Sequence, residues 1–219
     1  MEKVVIFGIG QIAEIAHFYL TTDSDCEVVA FTVDKEFKDC DEFHGLPVVD
    51  FESISKKYPP SEFKLFVPIS YTGLNKVRAN KYKEGKDKGY SFITYISSKA
   101  RYYGTPVGEN CFIFEDNVIQ PFTEIGDNCI LWSGNHIGHH TKIGNHCFIA
   151  SHVVISGSVT VGDYSFIGVN ATIRDNITIG NANIIGASTT ILQSTEDKSV
   201  YASKSTEKYK RSSDKIRKI

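Results

Sequence analysis

No long apolar run, no excess of one charge and no closely paired cysteines occur in these 219 residues. A membrane-spanning helix needs about 20 consecutive apolar residues, and no stretch here approaches that, so no membrane association is expected. Lysine and arginine number 24 against 26 acidic residues, for a net charge of −2, which excludes a general nucleic-acid binder. The five cysteines are odd in number and form no C-x-x-C, so neither a disulfide framework nor a zinc ribbon is expected. The opening residues, MEKVVIFGIG, run directly into a strand pattern, without the basic and small-residue flanks of a secretory signal. A reduced, cytoplasmic protein is the expectation.

What is present divides into two periodicities. Residues 1–96 alternate strands and helices: KVVIFGIG, then the helical QIAEIAHFYLTT, the strand CEVVAFTVD, the strand FKLFVPIS, the charged helix LNKVRANKYKEGKDKG and a fourth strand, SFITYI. That order predicts a small Rossmann-like α/β domain with a parallel sheet. From Val107 an aliphatic residue then recurs every six positions without a miss, through Ile125, Ile143, Val161 and Ile179 to Ile191. A second period of eighteen places a glycine after it at Gly108, Gly126, Gly144, Gly162 and Gly180.

Six residues per face and eighteen per coil describe a triangular solenoid whose corners are tight turns needing permissive backbone. Residues 107 to about 196 resemble the left-handed parallel β-helix of the hexapeptide-repeat acyltransferases. The organisation expected is an α/β domain over 1–96, a β-helix over 97–196 and a basic tail or helix over 197–219. The resembled enzymes are trimers with active sites between prisms, which implies a homotrimer here.

Five of the seven histidines fall between His136 and His152. Residues six apart belong to different faces, so His140, His146 and His152 cannot meet in one chain, and adjacent strand residues such as His139 and His140 should point oppositely. The trimeric zinc carbonic anhydrases of the hexapeptide class use an H-x4-H pair, but no two histidines here are five apart. No metal is expected. Cys111, Cys129 and Cys147 are eighteen apart and read as one packed column. Within NHIGHHTKIGNHCFIASHVVISG the chain resembles sugar acyltransferases related to sialic acid O-acetyltransferase and to the N-acetyltransferases of nucleotide-linked 4-amino sugars. That resemblance implies His139 as general base, although relatives often carry a carboxylate beside the base, where this chain has Gly138 and His140. It further implies the backbone of Gly157 as oxyanion donor and a coenzyme A arm passing Gly157, Gly168 and Ala187.

In the first half, FGIGQIAEIA supplies Gly8, Gly10 and Ala13 between strand and helix, with Asp34 closing the second strand. Such a turn presents N–H groups to phosphate, and the acid can accept a ribose hydroxyl. About half of a dinucleotide fold is too little for an NAD enzyme, so a nucleoside diphosphate is expected. By the resemblance, Gly8 and Gly10 line the phosphates, with Asp34 and Lys35 near ribose and base. Lys76 or Arg78 can also reach a phosphate, and the basic tail can meet those of coenzyme A.

The expected reaction is direct transfer of acetyl from acetyl-CoA to the amine of a nucleotide-linked 4-amino-4,6-dideoxy sugar, a step in surface-polysaccharide precursor synthesis. Histidine, with an ordinary pKa near 6.5, suits the proton transfer. Sugar O-acetylation of the sialic acid type is the alternative, followed by a zinc hydratase or a non-catalytic trimeric scaffold.

Overall fold

The computed structural model describes residues 1–208 and 210–215. Its first part is a five-stranded sheet in the order β3-β4-β2-β1-β5, built from β1 (Glu2–Phe7), β2 (Cys26–Val33), β3 (Glu42–Phe43), β4 (Leu46–Asp50) and β5 (Lys64–Phe66). All pairs are parallel except the β3-β4 hairpin. Val4 to Phe7 are buried because both faces of β1 are covered. Helix α1 (Gln11–Thr22) lays Ala13, Ala16 and Leu20 on the sheet, and α2 (Lys76–Asp87) follows β5.

The second part is a left-handed β-helix of two-residue strands. Seven rungs stack on its first face, six on the second and four on the third, where Val107 adds a bridge to Ile125. At about 4.8 Å per rung the first face is roughly 29 Å long. The aliphatic residues of the six-residue period, from Ile113 to Ile191, all point inward and are at most 4% exposed. Burying each contributes about 1.5–3 kcal/mol.

Three expectations change here. Tyr95–Ile96 is not a fourth strand of the α/β sheet, because it pairs with Phe112–Ile113 on the first face of the solenoid; only Phe92 bridges back to Leu65. The regular period also fails to mark where the solenoid starts: within the expected 97–196, Arg101–Tyr102 already pairs with Val118–Ile119 ahead of Val107. The six-residue ruler misses this coil because Ile96, Tyr102 and Val107 are unevenly spaced. Finally, the column of glycines does not supply the turns. Left-handed backbone falls two residues later, on Asn110, Asn128, His146, Tyr164 and Ala182, and likewise at the other corners. Glycine is required at 126 by close stacking, as a Cβ there falls 2.6 Å from Asn145 Oδ1 and 2.9 Å from the Gly144 carbonyl carbon.

The tail begins as solenoid, with Val200–Tyr201 pairing to Ile184–Ile185. A short 3-10 turn covers Ser213–Lys215, and residues 209 and 216–219 of the expected basic tail lie outside the described residues. No described helix is long and apolar enough to cross a membrane.

The two parts share a core. Phe112, Ile130 and Phe148, outward on the first face, pack with Ile6, Ala13, Phe31 and Phe66. Arg78 locks the joint. Its fully buried guanidinium donates to the carbonyls of Ile69, Ser70, Asn128, His146 and Cys147 and to Asn75 Oδ1, at 2.9–3.2 Å. Burial pushes its pKa down to about 10, so it stays cationic at neutral pH. Arg78 is therefore a latch and cannot touch a phosphate.

Candidate functional site

The three corners of the solenoid separate the histidines. Ser133–Gly134 form the corner between the first and second faces, His139–His140 the corner between the second and third, and Asn145–His146 the corner that returns to the first. His140, His146 and His152 thus stand on corners rather than faces, each with φ near +60°. They do not converge, as the spacing required. Among the described residues no group of three potential metal ligands occurs.

His139 and His140, however, do meet. Their Nδ1 atoms lie 3.1 Å apart, with the rings nearly perpendicular. The expectation that neighbours point oppositely fails because His140 is left-handed, at φ +57°, and strand alternation stops at the corner. The His139 ring rests on Gly157 of the next coil, where a Cβ would fall 2.6 Å from Cε1 and 2.8 Å from Nε2. Any side chain at 157 would displace that ring. Gln120 Oε1 accepts the backbone N–H of His139 at 2.9 Å, and the His140 ring packs on Phe122 at 4.8 Å. Among the described residues, the Gly157 N–H has no hydrogen-bond acceptor. An exposed imidazole, its Nε2 free, therefore adjoins an unpaired backbone donor. Gln120 was missed in the sequence, though it lies eighteen residues before Gly138 and so directly beneath it.

Gly168 and Ala187 come together, a Cβ at 168 falling 2.7 Å from the Ala187 nitrogen. They lie beside the first corner, whereas Gly157 is on the second. One face separates them, roughly 15–20 Å at about 3.3 Å per residue. The three therefore do not share one corner of the chain.

In the α/β domain, Gly8 has φ +109° and donates its N–H to Thr32 O, while Gly10 caps α1 with open space where a Cβ would stand. The turn is thus bare of side chains above the helix N-terminus. Asp34 is already paired, its Oδ1 2.8 Å from Lys81 Nζ. The Lys35 N–H donates to the Glu52 carboxylate at 3.2 Å. Lys81 also bonds Glu84 and lies over the Phe7 and Phe51 rings. Its reach to the carboxyl-terminal edge of the sheet depends on how α2 packs, which no motif encodes.

A groove of about 590 Å³ begins at Gln11, beside the glycine turn, and runs between α1 and the first corner. Phe18, Phe114 and Trp132 wall it, and Glu14 and Glu115 face it. Burial raises the Glu115 pKa, but hydrogen bonds from Tyr19 at 2.6 Å and Ser133 at 2.7 Å outweigh it and hold the carboxyl below its usual value. Glu14 pairs with His44 Nε2 at 3.2 Å. None of these groove residues was anticipated from the sequence.

Residues 105–139, 124–157 and 158–193 match the bacterial transferase hexapeptide (six repeats) family. No curated protein sequence matches the chain. Among solved structures, PerB from Caulobacter crescentus, in complex with CoA and GDP-perosamine, is similar at 25% identity and a TM-score of 0.80, covering 93% of this chain and 95% of that one. The acetyltransferase domain of PglB from Neisseria gonorrhoeae matches at 19% identity and a TM-score of 0.79, covering 93% and 97%. WeeI from Acinetobacter baumannii matches at 17% identity and a TM-score of 0.73, again covering 93% and 97%. The repeat over 105–193 is thus a bacterial transferase hexapeptide repeat, and the chain as a whole resembles the hexapeptide sugar acyltransferases in fold.

Proposed function

We propose that the protein transfers acetyl from acetyl-CoA to the amine of a nucleotide-linked 4-amino-4,6-dideoxy sugar. The observation that carries this reading is the His139 ring seated on Gly157, a base beside an unpaired N–H. The amine nitrogen attacks the thioester carbonyl and its proton passes to His139 Nε2. The developing oxyanion accepts the Gly157 N–H, a donor already fixed by the coil. Collapse breaks the C–S bond, and the His139 imidazolium returns the proton to the leaving thiolate. An acyl-enzyme has no candidate in the cysteine column, since Cys111, Cys129 and Cys147 are fully buried.

Residues 1–96 hold the nucleotide in this reading, with Gly8 and Gly10 at the diphosphate and Asp34 and Lys35 at the ribose and base; residues 97–196 carry out the transfer. The sugar extends from Gln11 into the groove. Its two carboxylates, Glu14 and Glu115, favour an acceptor that carries an amine over one that carries only hydroxyls. Likeness to PerB, solved with CoA and GDP-perosamine, supports the same substrate class. His139 stands one face away from the groove of its own chain, so the base must come from a neighbouring copy. That supports a closed homotrimer, with coenzyme A between prisms past Gly157 of one and Gly168 and Ala187 of the next.

The test is to incubate the protein with acetyl-CoA and matched amino- and hydroxyl-sugar nucleotides and to follow product mass. Acetylation of the amino sugar alone is expected. Acetylation of the hydroxyl sugar would move the protein to the O-acetyltransferase reading, and no turnover of either would overturn both.

A further inference from the structure

We infer that His140 is a positioning residue that fixes the tautomer of His139. The inference rests on the reading of His139 as the general base. The contact between the rings joins Nδ1 to Nδ1 at 3.1 Å, and neutral imidazole carries one proton for two nitrogens. One ring must donate and the other accept. If His140 donated, His139 would hold its proton on Nε2 and have no lone pair to offer the substrate. The base therefore requires the other arrangement, with His139 Nδ1–H donating to a bare His140 Nδ1. His139 Nε2, over Gly157, is then free to take the proton.

Three features hold the His140 ring in place beside His139. Its left-handed backbone, φ +57°, turns the side chain back toward its neighbour, where an extended residue would point away. Its ring rests on Phe122, left-handed at φ +65° one coil below. Its backbone N–H donates to Pro121 O at 3.3 Å. When His139 takes the substrate proton, the Nδ1–H···Nδ1 bond becomes charge-assisted and strengthens, so the help grows as the reaction proceeds. A neutral ring thus does the orienting that a carboxylate performs elsewhere in enzymes that use histidine as a base. No net charge is added beside a substrate that already bears a diphosphate.

The test uses two substitutions that both tolerate left-handed backbone. His140→Gly removes the acceptor without strain at φ +57°. His140→Asn keeps a neutral acceptor, Oδ1, in a residue at home in that region. In the full-length protein His140→Gly should lower kcat by about tenfold to a hundredfold, the range for partners that orient a functional histidine, with KM for both substrates unchanged. His140→Asn should restore most of that loss. In 15N spectra of histidine-labelled protein, the resonances that vanish in His139→Ala should report the Nδ1–H tautomer in the wild type and a mixture in His140→Gly.

Wild-type kcat in His140→Gly, failure of His140→Asn to rescue, or an Nε2–H tautomer at His139 would each overturn the inference. Failure of the underlying reading looks different: His139→Ala would itself retain full turnover. Loss of activity in His139→Ala with none in His140→Gly would remove only the role of His140.

Discussion

Two corners of one coil, six residues apart, are built to opposite ends. At the third corner an Asx ladder closes every turn: the N–H groups of Glu109, Asp127, Asn145, Asp163 and Asn181 donate to Oδ1 of Asp127, Asn145, Asp163, Asn181 and Asp197, at 2.7–3.0 Å. Behind it the Val67 N–H, Asn110, Asn128 and His146 Nδ1 form a second chain, and Arg78 caps the carbonyls. At the second corner the stations equivalent to the ladder are Pro121, His139, Gly157 and Asp175. The ladder is gone, the Gly157 N–H is unpaired, and no hydrogen bond reaches the α/β domain among the described residues. The difference teaches where to look in a repeat: the third corner keeps the rule of the period, and the second, where the proposed chemistry lies, breaks it.

Substitutions should separate the corners, beginning with the largest effect. His139→Ala should lower kcat by about a hundredfold to ten-thousandfold, read by steady-state kinetics, with an unchanged melting temperature. Arg78→Met leaves several buried carbonyls without donors and should destabilise by more than about 3 kcal/mol, measured by denaturant unfolding. Gly157→Ala puts a Cβ 2.6 Å from His139 Cε1; because φ at 157 is not left-handed, it should cost turnover, about a hundredfold, and leave stability alone. Asn145→Ala strips the acceptor from the Asp127 N–H and should cost about 1–2 kcal/mol of stability with kcat unchanged.

The smallest effect is one of pH. Burial is the largest influence on His146 and lowers its pKa; Cys129, Asp163 and Asp127 oppose it, the Arg78 charge adds to it, and the net shift is downward. Its folded value lies below its unfolded one, near 6.5, so the unfolded chain binds more protons in between. Stability is therefore fully present above about pH 6.5 and declines as pH falls below it. His146→Asn should flatten that decline in a melting series from neutral to mildly acidic pH.

The sequence exposes what repeats and hides what depends on a single local departure. The inward aliphatics were legible because each rung restates the last. The first coil was not, since the step from Tyr102 to Val107 is one residue short. His139 stood out by its motif, yet its contact with His140 depends on one left-handed residue that a strand pattern cannot signal. Arg78 read as a cation able to reach a phosphate because nothing local marks the carbonyls that surround it. The groove was invisible for the same reason, as Glu14, Glu115 and Trp132 meet only when α1 packs on the first corner.

The most direct test compares the same station on the two corners, His139→Ala against Asn145→Ala, with turnover and melting temperature measured on both. The expected result is a crossover: His139→Ala loses turnover and keeps its melting temperature, and Asn145→Ala loses melting temperature and keeps turnover. Full turnover in His139→Ala, or a loss of turnover in Asn145→Ala that matches it, would contradict the account.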